Sequence, residues 1–339
     1  MLGDGLKGPW FEHGRPVVIT GGRGFLGSHL ALRLAHAHPE GRVVAVDNGT
    51  RDCFSALGIA PPPNLEFVTG DVRAPQDWLP RIGRPSVVVH LAALAGVSTY
   101  YRDPLSVLEV NGLGTARLLR LLTDEHSDLR PSLFLNVSTS ETYGPHAAGA
   151  DEREPTPVGP ISDPRWTYAA SKVFAEHWTF ATARTTGLPV VSVRPFNVYG
   201  PGQIGEGAVR IFCERAVRGE SLSVTGDGSP TRSWIFVDDF VDALLALVAT
   251  PASWGATYNV GRPEDLVTTR RLAERILVLA QAPGALVFVP HPGQDVQERW
   301  PRTDALRAAT GWAPRVGLDE GLSRTIAFWR RHVAAGDHT

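Results

Sequence analysis

Short apolar runs alternate with helical spacing over the first two thirds of the chain. Pro16–Thr20 (PVVIT), Arg42–Val46 (RVVAV), Leu65–Val68 (LEFV), Val87–Leu91 (VVVHL) and Leu133–Val137 (LFLNV) each carry side chains without a polar face. Val190–Val193 is a sixth such run, and Tyr258–Val260 reads as another. Between them, Gly27–His38 reads as a helix with helical spacing of Leu26, Leu30, Leu32 and Leu34, and Pro104–Thr123 and Trp166–Thr185 read as longer helices. Continuous apolar strands alternating with helices predict an α/β fold, a doubly wound parallel sheet covered on both faces. The alternation breaks after about Arg194, where Gly and Pro crowd into Tyr199–Gly207 and Gly226–Pro230, and a smaller second region is expected from there. Residues 1–14 show no periodicity and read as a loose tail.

Composition narrows the class. A chain of 339 residues with 43% hydrophobic and 20% charged positions is neither disordered nor fibrous. No apolar run reaches the ~20 residues of a membrane-spanning helix, and the start lacks the apolar core of a secretory signal. The two cysteines, Cys53 and Cys213, lie far apart in sequence, so neither a disulfide framework nor a metal cluster is expected, and a cytoplasmic location is. A net charge of −2 without a basic run makes nucleic acid an unexpected partner. Of the 33 basic residues only Lys7 and Lys172 are lysine. Lys7 falls in the tail, so Lys172 is the only amine side chain in the folded body. An ammonium titrates and a guanidinium does not, which points to a specific need for an amine at 172.

The first apolar run leads into Gly21-Gly22-Arg23-Gly24-Phe25-Leu26-Gly27 and then a helix. Gly21, Gly24 and Gly27 form GxxGxxG: one glycine for the tight turn, one for close approach of a pyrophosphate, one for helix packing, with the helix N-terminus facing the phosphate. Asp47, at the end of the second strand, suits ribose hydroxyls and repels a 2′-phosphate, which predicts NAD rather than NADP. Asp71, in Gly70-Asp71-Val72 after the third strand, can reach an adenine amine, although such an Asp is also a common helix cap. Tyr168 and Lys172 stand at i, i+4 on one helix face, where an ammonium lowers the pKa of a phenol and makes it a base for a sugar hydroxyl. Ser138-Thr139-Ser140-Glu141 follows the fifth strand, at the carboxyl edge where parallel sheets bind ligands.

With TGGRGFLG, VDN, GDV, HLAA, STSETYG, YAASK, RPFNVYGPG and TRSWIFVDD together, the chain resembles the extended short-chain dehydrogenases/reductases that act on nucleotide sugars, from residue 15 to about 330. The resemblance implies a Rossmann domain at 15–195 and about 233–262, and a smaller C-terminal α/β nucleotide-sugar domain at about 196–232 and 263–333. It implies NAD held by Gly21, Gly24, Phe25, Leu26, Gly27, Asp47, Asn48, Asp71, Val72, Leu91, Ala92, Ala93, Asn111, Tyr168 and Lys172. It implies catalysis by Tyr168, Lys172 and Thr139, a diphosphate held by Asn197 and Arg232, no metal, and a homodimer formed through the two long helices.

Family members begin alike: Tyr takes the C4 hydroxyl proton and C4 gives hydride to NAD. A 4,6-dehydratase usually reads Thr-Asp-Glu, whereas Ser140 stands here in place of the Asp. A 4-epimerase usually lacks the Glu. The chain is most similar to UDP-glucuronate decarboxylases, which carry Thr-Ser-Glu (Thr139, Ser140, Glu141), in some cases Pro-Arg-Trp-x-Tyr (Pro164, Arg165, Trp166, Tyr168), and Asp-Val-x-x-Arg-x-Pro (Asp295, Val296, Arg299, Pro301). It departs from them at Gly202-Gln203, where an Arg is common after Gly-Pro. GDP-mannose 4,6-dehydratases share Thr-Ser-Glu as well. The resemblance implies a UDP-sugar substrate, with Arg299 holding the carboxylate or assisting proton return, and Ser140 and Glu141 serving the C5 side. A UDP-sugar 4-epimerase, a 4,6-dehydratase and a non-catalytic NAD-binding redox sensor remain alternatives.

Overall fold

The computed structural model describes residues 8–145, 147–290 and 296–336. Lys7 and Asp295 lie outside the described residues. Seven strands form one parallel sheet: β1 (Val17–Thr20), β2 (Val43–Asp47), β3 (Leu65–Thr69), β4 (Val87–His90), β5 (Leu133–Val137), β6 (Val190–Pro195) and β7 (Thr257–Val260). Their order is β7-β6-β5-β4-β1-β2-β3, so the chain winds outward from β1 in one direction and, from β4 on, in the other. The strands pair in parallel throughout.

The uninterrupted apolar character of the strands follows from their two covered faces. Val17, Ile19, Val43, Ala45, Val87, Val89, Leu133 and Leu135 share a core with Leu30 and Leu34 of α1 (Phe25–Ala37) and with Phe240, Leu244 and Leu247 of the helix Val237–Ala249. The alternate residues Val18, Val44, Val46, Val88 and Phe134 pack on Leu118, Leu119, Leu122 and Trp78. Successive strand side chains point to opposite faces, so a strand buried on both sides loses its period-two signal. No described helix is long and apolar enough to cross a membrane.

Two expectations are corrected. The supposed tail is ordered from Gly8: Pro9–Gly14 forms a short 3-10 segment whose Trp10 is only 1% exposed and belongs to the core between α1 and Val237–Ala249. Its carbonyl accepts a hydrogen bond from Ser86 Oγ, ahead of β4. A single aromatic anchor carries no periodicity, which is why the sequence pattern misses it. Second, Ala147–Ala150, assigned from the sequence to the nucleotide-binding half, is the edge strand of a separate four-stranded sheet with Glu298–Pro301, Thr231–Ser233 and Leu266–Thr268. The smaller region also holds a helical layer in which Phe212, Leu272, Ile276, Leu322 and Trp329 share a core.

The long helix read at Pro104–Thr123 changes pitch along its length. Pro104–Val107 and Gly114–Leu122 are α-helical, and Leu108–Leu113 between them is a π-helix. Such widened turns occur mostly at functional sites. Here one carries Asn111 inward, fully buried, beneath the loop that leaves β4.

The buried anchor sets the first expected outcome. Replacing Trp10 by Ala should lower the unfolding free energy by ~3–5 kcal/mol, as for other buried aromatic truncations. Urea melts of the two proteins measure the difference, and an unchanged midpoint would return residues 9–14 to the status of a tail.

Candidate active site

The site is built where β1, β2, β4 and β5 end. Gly21 has φ 71°, a left-handed conformation that favours glycine, and a Cβ there would stand 2.8 Å from the backbone N of Ala92. A Cβ on Gly27 would stand 2.1 Å from the carbonyl oxygen of Gly21. The turn is therefore pressed against both the end of β4 and the first turn of α1. Gly24 caps α1 with no side-chain acceptor, so the first N–H groups of the helix have no side-chain cap. Asp47 closes β2, with Oδ2 accepting from Arg23 N at 3.1 Å and Oδ1 from Gly49 N at 2.8 Å. The Arg23 guanidinium is itself drawn away to Asp52 at 2.7 Å. A glycine cradle that any Cβ would fill, an uncapped helix start and a carboxylate one strand away fit a dinucleotide with a free ribose.

The other expected cofactor residues lie round the same edge. Asn48 follows Asp47 and bonds the Asp71 carboxylate, which is also gripped by Arg73 through Nε (3.0 Å) and Nη2 (2.7 Å); the Arg73 bonds lead in holding Asp71 below the usual carboxylate range. Val72 is buried against Gly114. Leu91 and Ala92 bond back to Thr20, and Ala93 follows them. Asn111 grips Leu94 at both its N–H (2.8 Å) and carbonyl (3.1 Å) and donates to Ser171 Oγ at 3.2 Å, so it fixes the β4 loop against α2 (Thr167–Thr186).

α2 carries the Tyr–Lys pair inward. Lys172 is 3% exposed and donates to the carbonyl of Val137, the last residue of β5, at 2.7 Å. Burial brings its pKa down to about 8, against the raising influence of Glu176 one turn away. Glu176 in turn is held by Arg194 at 2.9 and 2.8 Å. Tyr168 bonds Thr139, and its ring stacks on Tyr100 with centroids 5.1 Å apart and planes 8° from parallel. The expected lowering of the phenol pKa is absent. Burial first, and then the charge of Glu141, push Tyr168 above its ordinary value, with only the Thr139 hydrogen bond pulling the other way. Lys172 spends its proton on Val137 rather than on the phenol.

Thr139 follows β5 and caps the 3-10 turn Ser140–Tyr143, its hydroxyl accepting from Glu141 N at 3.3 Å. Ser140 is buried beside it. Glu141 lies between two guanidiniums: Arg165 Nη1 at 2.7 Å and Nη2 at 3.3 Å, and Arg299 Nη1 at 3.5 Å. Burial pushes the Glu141 carboxyl up, but Arg299 and Arg165 together outweigh it, and the group lies below the usual carboxylate range. Arg299 is 6% exposed, and its Nε and Nη2 are buried without a hydrogen-bond partner. In the small sheet Arg299 pairs in register with Arg232 across parallel strands, so both side chains leave the same face. Arg232, Asn197, Tyr199, Gln203, Gly207 and Trp234 line a cleft of about 340 Å³. Asn197 sits at φ 36° and ties its side chain to the Ser233 carbonyl at 2.9 Å.

The structure thus brings together every expected catalytic residue. Sequence reading missed the Tyr100 stack and the ion pair of Arg165. Tyr100 stands beside Tyr101 in a segment where no periodicity tells which ring turns inward. Arg165 was visible only as a letter in a motif.

The model of the NAD dependent epimerase/dehydratase family matches residues 17–261. A UDP-glucose 4-epimerase of Mycolicibacterium smegmatis is 35% identical over 322 residues, covering 93% of this chain and 98% of the relative. The UDP-glucuronic acid decarboxylase 1 of Danio rerio is 32% identical over 324 residues, covering 94% of this chain and 73% of the relative. Among solved structures, the UDP-glucose 4-epimerase of Thermotoga maritima with UDP-glucose superposes with a TM-score of 0.84 at 28% identity, over 94% of this chain and 99% of that one.

The buried amine gives a testable pH dependence. Lys172 titrates near 8 when folded and near 10.5 as a free side chain, so between these values the unfolded chain binds the extra proton. Stability from this group therefore rises as pH rises through that window. Relative to Lys172→Met, the wild-type melting temperature should climb from pH 8 to pH 10. A constant difference across that range would show that the amine is not perturbed.

Proposed function

The chain belongs to the NAD dependent epimerase/dehydratase family, and from that membership we propose that it is a UDP-glucuronate decarboxylase. The observation that carries this reading is Arg299: a buried guanidinium with two unpartnered N–H groups, one strand from the candidate diphosphate ligand Arg232. A hexuronate linked to a diphosphate supplies an anion at each end of that pair. Charge-assisted pairing with planar oxyanions is what guanidinium groups do best.

Thr139 and Tyr168 bind the C4 hydroxyl, and Tyr168 takes its proton. The Gly21–Gly27 turn and Asp47 would hold NAD, which would supply the oxidising equivalents for C4 and their return. The resulting C4 ketone lies β to the carboxylate, so CO₂ leaves with its electron pair delocalised into an enolate. Arg299 aligns the carboxylate for that loss. Ser140 serves the C5 side, where the carbanion takes a proton from water. Glu141, kept ionised by two arginines, serves as the anchor of Arg299. Lys172 fixes the end of β5 through the Val137 carbonyl. Asn197 and Arg232 hold the diphosphate in the smaller region, residues about 196–232 and 263–333. Reduction at C4 gives UDP-xylose; earlier release gives the 4-keto pentose.

Mass spectrometry of UDP-glucuronate incubated with the enzyme should show a product lighter by CO₂. Tyr168→Phe should slow its formation by ~10²–10⁴, the usual value of a general acid–base group, while NAD stays bound. The second reading, 4-epimerisation, draws on the epimerase relatives, and yields UDP-galacturonate with no gas. That outcome would replace the decarboxylase assignment.

The protein acts as a homodimer through its two long helices. Leu105, Leu108 and Leu113 on one and Phe174 on the other are exposed by 71%, 40%, 46% and 39%. An apolar row on paired helices suits burial against a second copy across a two-fold axis. Light scattering at micromolar concentration should give twice the chain mass, and Leu105→Glu with Leu108→Glu should give the monomer. A monomeric wild type would refute it.

A further inference from the structure

Three charged side chains meet in the site, and their pairing is unequal. Glu141 has two oxygens. Arg165 takes the better contacts, 2.7 Å to one oxygen and 3.3 Å to the other, whereas Arg299 reaches Glu141 with Nη1 alone, at 3.5 Å. All three side chains are close to nine-tenths buried, at 12%, 12% and 8% exposure for Arg165, Glu141 and Arg299. The trio carries two positive charges and one negative. The excess charge rests beside the unpartnered Nε and Nη2 of Arg299.

That arrangement is unstable to the loss of one member. A carboxylate and a guanidinium left alone in a buried place prefer a bidentate pair, two parallel N–H···O bonds. With Arg165 absent, both Glu141 oxygens become available to the bare groups of Arg299, and the pair satisfies itself. Local structure keeps Arg165 where it prevents this. It lies on the 3-10 turn Pro164–Trp166, its backbone N–H donates to Asp163 Oδ1 at 2.9 Å, and its guanidinium lies 5.3 Å from the Trp166 ring centroid.

We propose that Arg165 is a positioning residue that determines specificity: by occupying Glu141 it keeps the Nε and Nη2 groups of Arg299 open for the carboxylate of a nucleotide-linked uronic acid. The proposal rests on the hexuronate reading of Arg299 given above. It separates two duties. Arg299 touches the substrate carboxylate, and Arg165 acts only through Glu141, by preventing an internal carboxylate from taking the same place. The occupied glutamate also explains why a site selective for an anion contains one.

Calorimetry on the NAD-loaded protein in a Tyr168→Phe background, where turnover is suppressed, tests this with two ligands that differ only in the C5 carboxylate, UDP-glucuronate and UDP-xylose. The parent should bind UDP-glucuronate more tightly. Arg165→Met should weaken UDP-glucuronate roughly ten- to a hundredfold, the worth of a hydrogen bond to a charged group, and leave UDP-xylose unchanged. Arg165→Lys, which restores a charge for Glu141, should recover part of the loss. Added to Glu141→Gln, Arg165→Met should have no further effect, because its route of action is gone. Equal weakening of both ligands, unchanged UDP-glucuronate affinity, or additive losses with Glu141→Gln would each overturn the role of Arg165. A parent that does not distinguish the two ligands would instead remove the hexuronate reading itself, and this inference with it.

Discussion

Seven strands that all run one way deliver their carboxyl ends to a single edge, and the site depends on that constraint. The glycine turn leaves β1, Asp47 closes β2, the Leu91–Ala93 segment leaves β4, and Thr139 to Glu141 leave β5. The hydrogen-bonded register of the sheet positions these groups, and the glycine turn touches both Asp47 and the Leu91–Ala93 segment. α2 then needs only to lie across the edge for Lys172 to meet the last carbonyl of β5 and for Tyr168 to meet Thr139. Rigid elements supply the precision that loops would not.

A second sheet supplies the opposite wall. Arg232 and Arg299 stand in register on parallel strands that are far apart in sequence, and the Ala147–Ala150 strand that completes their sheet is lent by the segment following Tyr143. The wall is therefore tied to the β5 turn that carries Thr139 and Glu141. The buried pair Glu176–Arg194 plays a similar part on the other side, joining α2 to β6. Such pairs contribute little net stability once desolvation is counted, but breaking one leaves an uncompensated buried charge. They act here to fix geometry.

The sheet and the glycine turn were legible because they rest on local rules. Apolar runs, helical spacing and three glycines at set intervals are short-range signals, and each matches an observed element. The placement of Tyr168, Lys172, Thr139, Glu141 and Arg299 together was legible only through resemblance, since Arg299 is 158 residues from Glu141 and no spacing connects them. The electrostatics were not legible. An ammonium four residues from a phenol suggested a lowered tyrosine, whereas burial and Glu141 raise it, because pKa depends on surroundings that sequence distance does not report. Trp10 was lost for a related reason: a lone anchor has no pattern.

The replacement of lysine by arginine has a chemical consequence beyond charge. Among the described residues Lys172 is the only side chain with an amine, and it is enclosed. Reagents that acylate, glycate or crosslink amines therefore meet a described exterior made of guanidinium groups, which do not react with them under mild conditions. That described exterior is chemically quiet, and the one described nucleophilic amine, held near its point of half-ionisation at slightly alkaline pH, lies in the proposed catalytic centre. Among the described residues, a small aldehyde or activated ester able to reach it would find Lys172 as the one amine to label.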